Sequence, residues 1–524
     1  MRKRRSPSKD DKATFTSTFG KALAAAEKGD AMAQFIVGGF YSEGMGVTKD
    51  DAAAAGWYRK AAEQGLSGAQ LHLGIMYAFG NGVEKDEVEG ARWMRKAADL
   101  GHVDAQLSLG TMYGVGCGVE RDDAQSVLWL QKAAEQDSAR AQCELGYKYR
   151  DGVGVPADDV QAVAWFRKAA DQELPEAQAC LGEMYDEGRG VPKDFALAAD
   201  WLRKAAEQGL AEAQTRVAEM YEEGHGVAED PVEAVKWFRK AADQGAADGQ
   251  LLLGIMYDEG RGVAEDPVQA VKWYRKAAEQ GMSEAQYWLG DMYDEGRGVA
   301  EDPVQAAKWF RKAADQGDAD AQLSLGMMYD DGRGVAEDTA QAAKWFLKAA
   351  EQGLAEAQTC LATMYDDGDG VQEDPVEAVK WFRKAAEQGH ADAQICLAGM
   401  YDDGRGVPRD SAAAAEWFRK AAEQGHADAQ ICLGAMYNDG RGLRRDFGQA
   451  AVWFGKAAEQ GDADAQVALG VMYGEGRGVP KDLALAVAWF QKAAEQGHAE
   501  GQAFLNALYE QDDGIVLPTR PTIH

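Results

Sequence analysis

Apolar, aromatic and small residues recur along this chain with a fixed period of 36 residues. Tyrosine, glutamine and tryptophan each keep this spacing over most of the sequence, in columns that run from Tyr41 to Tyr509, from Gln34 to Gln502 and from Trp57 to Trp489. A fixed period of this length is typical of solenoids, in which one supersecondary unit is repeated and stacked on its neighbours. The pattern therefore predicts a repeat protein.

The first part of each period has the pattern of an amphipathic helix. In a middle repeat, Ala285, Leu289 and Tyr293 lie four residues apart and form one apolar stripe. Gly290 lies beside this stripe and is small enough for close contact between helices. We therefore predict a first helix over roughly residues 284–294, with its apolar stripe buried.

The second part of each period predicts another helix after a short loop. Gly296 and Gly298 can take a positive φ where the chain reverses. Asp302 is a preferred residue for capping the second helix, and Pro303 suits its first turn. The predicted buried face of this helix consists of small and aromatic residues, namely Ala306, Trp309, Phe310, Ala313 and Ala314.

The ends of the sequence depart from the repeat. We interpret residues 1–15 as a basic, disordered arm, 16–30 as a capping helix, 31–497 as thirteen repeats, 498–514 as a second capping helix and 515–524 as a tail. Atypical end repeats are expected in a solenoid, because their outer faces meet water. Counting the lone last helix as part of a further period gives about fourteen periods and 28 helices.

The full pattern resembles a known family. It reads Ala-x-Ala-Gln-x-x-Leu-Gly-x-Met-Tyr-x-x-Gly-x-Gly-Val-x-x-Asp, then Ala-x-x-Trp-Phe-Arg-Lys-Ala-Ala-Glu-Gln-Gly. This is similar to the Sel1-like repeat, a relative of the tetratricopeptide repeat, over essentially the whole chain. The resemblance implies an all-α, right-handed superhelical solenoid of helix pairs, whose first helices line the concave side. It also implies an adaptor that gathers protein complexes, since the family has no common catalytic residues.

Composition and charge narrow the class of protein further. The chain has 524 residues, 46% of them hydrophobic, and a formal net charge of −31. It is too long for a single core and too apolar to be disordered, while its charge argues against a folded body that binds nucleic acid. It has no apolar run of membrane-spanning length and no secretory signal, so we expect a water-soluble, cytoplasmic monomer. The basic segment 2–5 leaves nuclear import open as an alternative.

Some positions on the first helix vary from repeat to repeat while their neighbours stay nearly fixed. They lie two, five and nine residues after the repeat glutamine, which places them on one exposed helix face. We predict that this face binds a protein or peptide partner, because exposed aromatic and arginine side chains often anchor interfaces. The predicted contact residues are His72, Ile75, Phe79, Tyr147, Arg216, Glu219, Ile255, Trp288 and Asp291. The alternative is that these positions drift because nothing constrains them.

Pairs of acidic residues end many of the first helices. An example is Asp294 with Glu295, where Arg297 follows three residues after the first acid. Carboxylates oppose the dipole at a helix C-terminus, so we favour ion pairs within loops or between repeats over a groove for basic ligands. Asp369 replaces the loop arginine in one repeat. A calcium site there is disfavoured, because Val371 occupies a ligand position.

No constellation of catalytic or metal-binding residues is identifiable, and no cofactor is implied. The six cysteines show no paired spacing, so we expect free thiols in a reducing compartment. The function favoured by the sequence is therefore a non-catalytic adaptor. The alternatives are a structural spacer without a specific ligand and a small-molecule-binding or hydrolytic Sel1-like protein.

Overall fold

The structure is a computed structural model that describes residues 9–510, with the side chains of residues 17–508. Within this range the chain forms 28 α-helices and no β-strand, which confirms the predicted all-α fold and the helix count. Helix α1 stands alone, the even-numbered helices from α2 are the first helices of the repeats, and the odd-numbered helices from α3 are the second helices. Residues 1–8 of the basic arm and the whole tail 515–524 lie outside the described residues.

The chain divides into two compact units, Met1–Glu265 and Asp266–His524. The N-terminal unit contains α1 (Lys9–Ala26), α2 (Ala31–Glu43), α3 (Asp51–Glu63), α4 (Ser67–Phe79), α5 (Glu87–Asp99), α6 (Val103–Val115), α7 (Asp123–Ala134), α8 (Ala139–Asp151), α9 (Asp159–Asp171), α10 (Pro175–Glu187), α11 (Phe195–Glu207), α12 (Ala211–Glu223), α13 (Pro231–Asp243) and α14 (Ala247–Glu259). The C-terminal unit contains α15 (Pro267–Glu279), α16 (Ser283–Glu295), α17 (Pro303–Asp315), α18 (Ala319–Asp330), α19 (Thr339–Glu351), α20 (Ala355–Asp367), α21 (Pro375–Glu387), α22 (Ala391–Asp403), α23 (Ser411–Glu423), α24 (Ala427–Asp439), α25 (Phe447–Glu459), α26 (Ala463–Glu475), α27 (Leu483–Glu495) and α28 (Ala499–Glu510). Within each unit every helix packs against the helix before it and the helix after it.

The end helices differ in extent from the capping helices expected over residues 16–30 and 498–514. Helix α1 begins at Lys9, inside the segment 1–15 that the sequence suggested was an arm. Neither proline nor glycine interrupts residues 9–19, so nothing in the backbone chemistry stops the helix there. Helix α28 spans Ala499–Glu510 and has no second helix after it among the described residues.

The predicted start and stop signals hold in the middle repeat. Helix α16 ends at Glu295 and is capped by Gly296, whose φ is 70°. The carboxylate of Asp302 accepts a hydrogen bond of 3.0 Å from the backbone N–H of Gln305 at the start of α17. The small residues and Phe310 of α17 are buried as expected. Trp309 is only partly buried, because its ring lies at the edge of the helix pair with the ammonium group of Lys312 3.6 Å from its centre.

A buried ladder of glutamines joins each first helix to the second helix of the preceding repeat and to the end of the second helix of its own repeat. Gln106 donates a hydrogen bond to the carbonyl oxygen of Ala98 at 3.1 Å, and its own carbonyl accepts one from Gln136 at 2.8 Å. The same arrangement recurs along the array, from Gln34 with Gln64 to Gln466 with Gln496. These bonds satisfy the polar atoms of a side chain that the fold buries. The invariant glutamine column is therefore structural.

Candidate functional site

The variable face consists of the residues two, five and nine positions after the repeat glutamine on each first helix. In α4 the fixed residues Ala69, Leu73 and Met76 are buried, because they point into the helix pair. Phe79 lies nine positions after the glutamine and is 73% exposed. Val115 occupies the same position in α6 and is 70% exposed. The two fully apolar side chains thus face solvent at the C-terminal ends of successive first helices.

The other members of the variable face near the N-terminus are less accessible. The His72 side chain is exposed, but its ring packs 5.3 Å from Phe35 and 5.2 Å from Tyr58. Its Nδ1 atom lies 2.9 Å from the backbone carbonyl oxygen of Gly68. Ile75 and Ile255 are each half-buried, so each presents only part of an apolar side chain to solvent.

Tyr147 belongs to a packed cluster between two repeats. Its ring packs edge-on against Phe166 at 5.3 Å, and its hydroxyl accepts a hydrogen bond of 3.0 Å from the Cys180 thiol of the next first helix. The Arg150 guanidinium lies 5.0 Å from the same ring. Burial raises the pKa of Cys180 to about 11, that of Cys143 to about 12, and the pKa of Tyr147 as well. Both thiols are therefore protonated at neutral pH and unsuited to nucleophilic chemistry.

Arg216 forms ion pairs within the array. One of its guanidinium nitrogens lies 2.5 Å from Glu219 of the same helix, and the other lies 3.4 Å from Asp186 of the preceding repeat. Burial raises the pKa of Glu219, and the positive charge of Arg216 opposes that rise. His225 stands where most repeats have the loop arginine, so Arg216 supplies the cation that Asp186 would otherwise lack.

In the C-terminal unit, Trp288 and Asp291 are each partly buried. The Trp288 ring is stacked over Tyr274 at 6.4 Å and meets Tyr287 edge-on at 5.2 Å. The Asp291 carboxylate lies 2.6 Å from the guanidinium of Arg297 in the following loop. These contacts fix both side chains, and whether a partner touches any of the nine predicted residues stays a prediction.

Loop arginines pair with the acids that end first helices, as favoured from the sequence. The Arg441 guanidinium lies 2.7 Å from the buried carboxylate of Asp402, which ends the first helix of the preceding repeat. In this pairing the arginine follows the acid by 39 residues. The same register joins Arg261 to Glu222, Arg333 to Asp294 and Arg405 to Asp366. Four helix-end acids are thus neutralised by the next repeat, while Glu187, Glu259, Glu295 and Glu475 pair with the arginine of their own loop.

Metal binding finds no support in the described part of the chain. No group of three or more histidine, cysteine or acidic side chains within it has the arrangement of a metal site. That result includes Asp369, where the sequence disfavoured a calcium site, and the neighbouring carboxylates of Asp366 and Asp367. The six cysteines are all free thiols.

A second exposed apolar row lies on the second helices, and the sequence analysis missed it. It consists of valines two positions after the capping aspartate, each at least half exposed: Val88, Val160, Val232, Val268, Val304 and Val376. The recurring Asp-x-Val start of these helices, Asp-Pro-Val in four of them, is the signal that could have revealed it, because that position falls outside the predicted buried face. We refer to these six residues as the valine row.

These features define a class of protein, an α-solenoid built of helix pairs, before any comparison is made. The sequence model of the Sel1 repeat family matches thirteen segments: residues 31–66, 67–102, 103–138, 139–174, 175–210, 211–245, 247–282, 283–318, 319–354, 355–390, 391–426, 427–462 and 463–498. The chain belongs to the Sel1 repeat family.

The solved structure of a similar protein agrees with this assignment. The chain is similar to c5321, a protective antigen present in uropathogenic Escherichia coli strains displaying an SLR fold, at 37% identity and a TM-score of 0.70. The match covers 89% of this chain and 99% of that one. A Sel1 repeat protein from Oxalobacter formigenes is 38% identical, with 59% of this chain and 89% of that chain covered and a TM-score of 0.49. No curated protein matches the chain.

Members of the Sel1 repeat family share a general type of function. Sel1 repeat proteins are generally protein-interaction scaffolds without catalytic activity, and repeats of this type typically bind other proteins. In the described residues, no helix has both the length and the apolar character that crossing a bilayer requires.

Proposed function

We propose that this chain is a non-catalytic adaptor whose variable face, on the first helices, binds a protein or peptide partner in the concave groove of the array. The observation that carries the proposal is the exposure of Phe79 and Val115, at 73% and 70%, at the same position of successive first helices. Large apolar side chains in the fixed columns of the same helices are buried, so these two are exceptions at variable positions. Exposed apolar residues grouped on one face are typical of binding surfaces.

The remaining predicted contacts would add polar and aromatic groups, most of them on first helices of other repeats. Arg216 and Glu219 are held by an ion pair, and Trp288 and Tyr147 by ring contacts. Side chains already fixed in the free protein lose little conformational entropy when a partner binds. His72, Ile75, Ile255 and Asp291 complete the proposed contact set. The six free thiols support a reducing compartment such as the cytoplasm.

The contribution of Phe79 can be estimated from its burial on binding. Fully burying an exposed phenylalanine side chain is worth about 1.5–3 kcal/mol. Each 1.4 kcal/mol corresponds to about a tenfold change in the dissociation constant. We therefore expect replacement of Phe79 by serine to weaken partner binding by at least about tenfold.

Affinity capture from an extract of the source cells, followed by mass spectrometry, tests the proposal. Wild type is compared with the double variant Phe79→Ser/Val115→Ser, whose changes are on the surface and should leave the helices intact. The matched control is Val232→Ser/Val268→Ser, which removes two exposed valines from the valine row. Circular dichroism confirms that all three proteins are equally helical.

A partner retained by wild type and the control but lost from the Phe79 variant supports the proposed face. Loss from the valine variant instead moves the binding surface to the second helices. If wild type retains nothing specific, the adaptor function fails and the structural spacer becomes the better interpretation.

A further inference from the structure

One recurring feature of the array is a site for a guanidinium group. Carboxylates at the C-terminal ends of first helices bind a loop arginine 39 residues later, in the pairs Glu222–Arg261, Asp294–Arg333, Asp366–Arg405 and Asp402–Arg441. The negative end of the helix dipole adds to the attraction of the carboxylate for a cation. In four repeats, therefore, the carboxylate at this position binds a guanidinium group.

In one repeat of the C-terminal unit the arginine of this site is missing. The acid is Asp330, the last residue of α18, and the residue 39 positions later is Asp369. Asp330, Asp331 and Asp369 have no ion pair with any described basic residue, whereas the charge of Asp367 helps to raise the pKa of Arg405. Burial raises the pKa of Asp330, and the negative charges of Asp369 and Asp331 raise it further. The carboxylate thus stands in an excess of negative charge.

The missing arginine leaves a space. A cavity of about 360 Å³ is lined by all four of these carboxylates, together with Met327, Phe346, Cys360, Thr363 and Met364. The acids surround this space without converging, since no described group of acids has the arrangement of a metal site. The exposed apolar wall between them is the Met327 side chain, while Phe346 and Met364 form a buried floor beneath. A planar, weakly hydrated cation with several donors matches this lining better than a small, strongly hydrated ion.

We propose that the Asp330–Asp369 cavity binds the guanidinium group of an arginine presented by a protein or peptide partner. That arginine takes the place that the loop arginine occupies in the other repeats. The inference rests on the proposed adaptor function and specifies the chemistry of its partner. It places one specific contact in the C-terminal unit, separate from the apolar anchor at Phe79.

Saturation-transfer NMR with a short peptide tests the cavity directly on the full chain. The probe is the pentapeptide Gly-Gly-Arg-Gly-Gly with blocked ends, beside the same peptide with lysine or with citrulline, the uncharged isostere of arginine. We expect saturation transfer from wild type to the arginine side chain, and at least about tenfold weaker binding of the citrulline peptide, because it cannot form the charge-assisted bonds.

Two variants with the same change in net charge make the test specific. Asp369→Arg restores the arginine that the other repeats have and should abolish peptide binding while keeping or raising stability. Asp403→Arg places the same charge at an exposed acid of a repeat whose Asp402–Arg441 pair is intact, and should leave binding unchanged.

The proposal is overturned if wild type shows no transfer to the arginine peptide, if lysine binds as well as arginine, or if both variants weaken binding equally. These outcomes are distinguishable from failure of the adaptor function. An empty affinity capture with normal peptide binding would refute only the adaptor, whereas a captured partner with no peptide binding would refute only the cavity.

Discussion

At the scale of single residues, the glutamine ladder contains one break. Gln70 is buried and donates to the carbonyl oxygen of Ala62, but its own Oε1 has no hydrogen-bond partner among the described residues. In the neighbouring repeat Gln136 supplies the corresponding donor to Gln106. The equivalent residue for Gln70 is Leu100, which cannot donate and is 61% exposed. A buried unpaired carbonyl costs stability.

Leu100→Gln should therefore stabilise the protein. The new amide can donate to Gln70 as Gln136 donates to Gln106, and we expect a gain of about 1 kcal/mol in the free energy of unfolding. Urea denaturation measures the change. The reciprocal variant Gln136→Leu should lose a similar amount, and equal stability of Leu100→Gln and wild type would contradict the role assigned to the ladder.

A second residue-scale prediction concerns pH. The pKa of Asp330 is raised by burial and by Asp369 and Asp331, so the folded state holds this proton to higher pH than the unfolded state does. Binding of this proton stabilises the folded state at pH values below the ordinary carboxyl pKa, near 4. The stabilisation is lost as the pH rises through the higher pKa that Asp330 has in the folded state.

Asp330→Asn removes the charge and should stabilise the protein at pH 7 by up to about 1 kcal/mol, with little effect near pH 4. Urea unfolding at both pH values measures this difference. Asp403→Asn, at an exposed helix-end acid, is the control. A stabilisation of equal size at pH 4 and pH 7 would show that the charge is not its cause.

At the scale of the elements, the loops join repeats as well as helices. Gly298 has a φ of 68°, and a Cβ atom built on it would lie 2.2 Å from the carbonyl oxygen of Pro267 at the start of the preceding second helix. Gly317 also has a positive φ, of 100°, but nothing lies within 4 Å of its Cβ position. Glu173 takes the equivalent place in another repeat at a φ of 62°. The two glycines therefore have different roles.

Gly298→Ala should cost more than about 3 kcal/mol, because backbone strain adds to a clash with backbone that cannot move alone. Gly317→Ala should cost about 1 kcal/mol, the strain alone. Parallel urea titrations of both variants give the comparison. Equal losses would mean that the close approach to Pro267 does not hold the repeats together.

At the scale of the molecule, stability is built from neighbouring contacts. Within each unit a helix packs on the helices before and after it, so each repeat depends chiefly on the adjacent repeats. An array of this kind has no single core whose loss would unfold the whole chain. Its length is therefore adjustable by whole periods.

Excision of residues 283–318, one complete period, should leave a folded protein. The deletion joins equivalent positions, so every new contact has the same register as an existing one. We expect unchanged ellipticity per residue and cooperative melting, measured by circular dichroism. Excision of residues 301–318, which removes a second helix alone, should cause aggregation or a loss of helicity, and similar behaviour of the two deletions would contradict a nearest-neighbour array.

The sequence alone determined the local structure and the class of protein. Its period, glycines and capping aspartates specify each helix within a few residues, because these signals act on nearby backbone groups. The resemblance to the Sel1-like repeat and the count of 28 helices were predicted from these signals, and both are confirmed. The variable positions also identified Phe79, whose exposure depends only on the face it occupies.

Tertiary structure decided what depends on the stacking of one repeat on another. Arg216 was predicted as a contact residue from its variable position, but its ion pair with Asp186 of the preceding repeat could not be foreseen. Gly298 was expected to turn the chain, yet its contact with Pro267 could not be foreseen. The cavity beside Asp330, where no arginine follows 39 residues later, gained meaning only when the 39-residue pairing was known. Such contacts join residues about one period apart. Their register follows from the way in which the helix surfaces pack, and the local sequence pattern does not specify that packing.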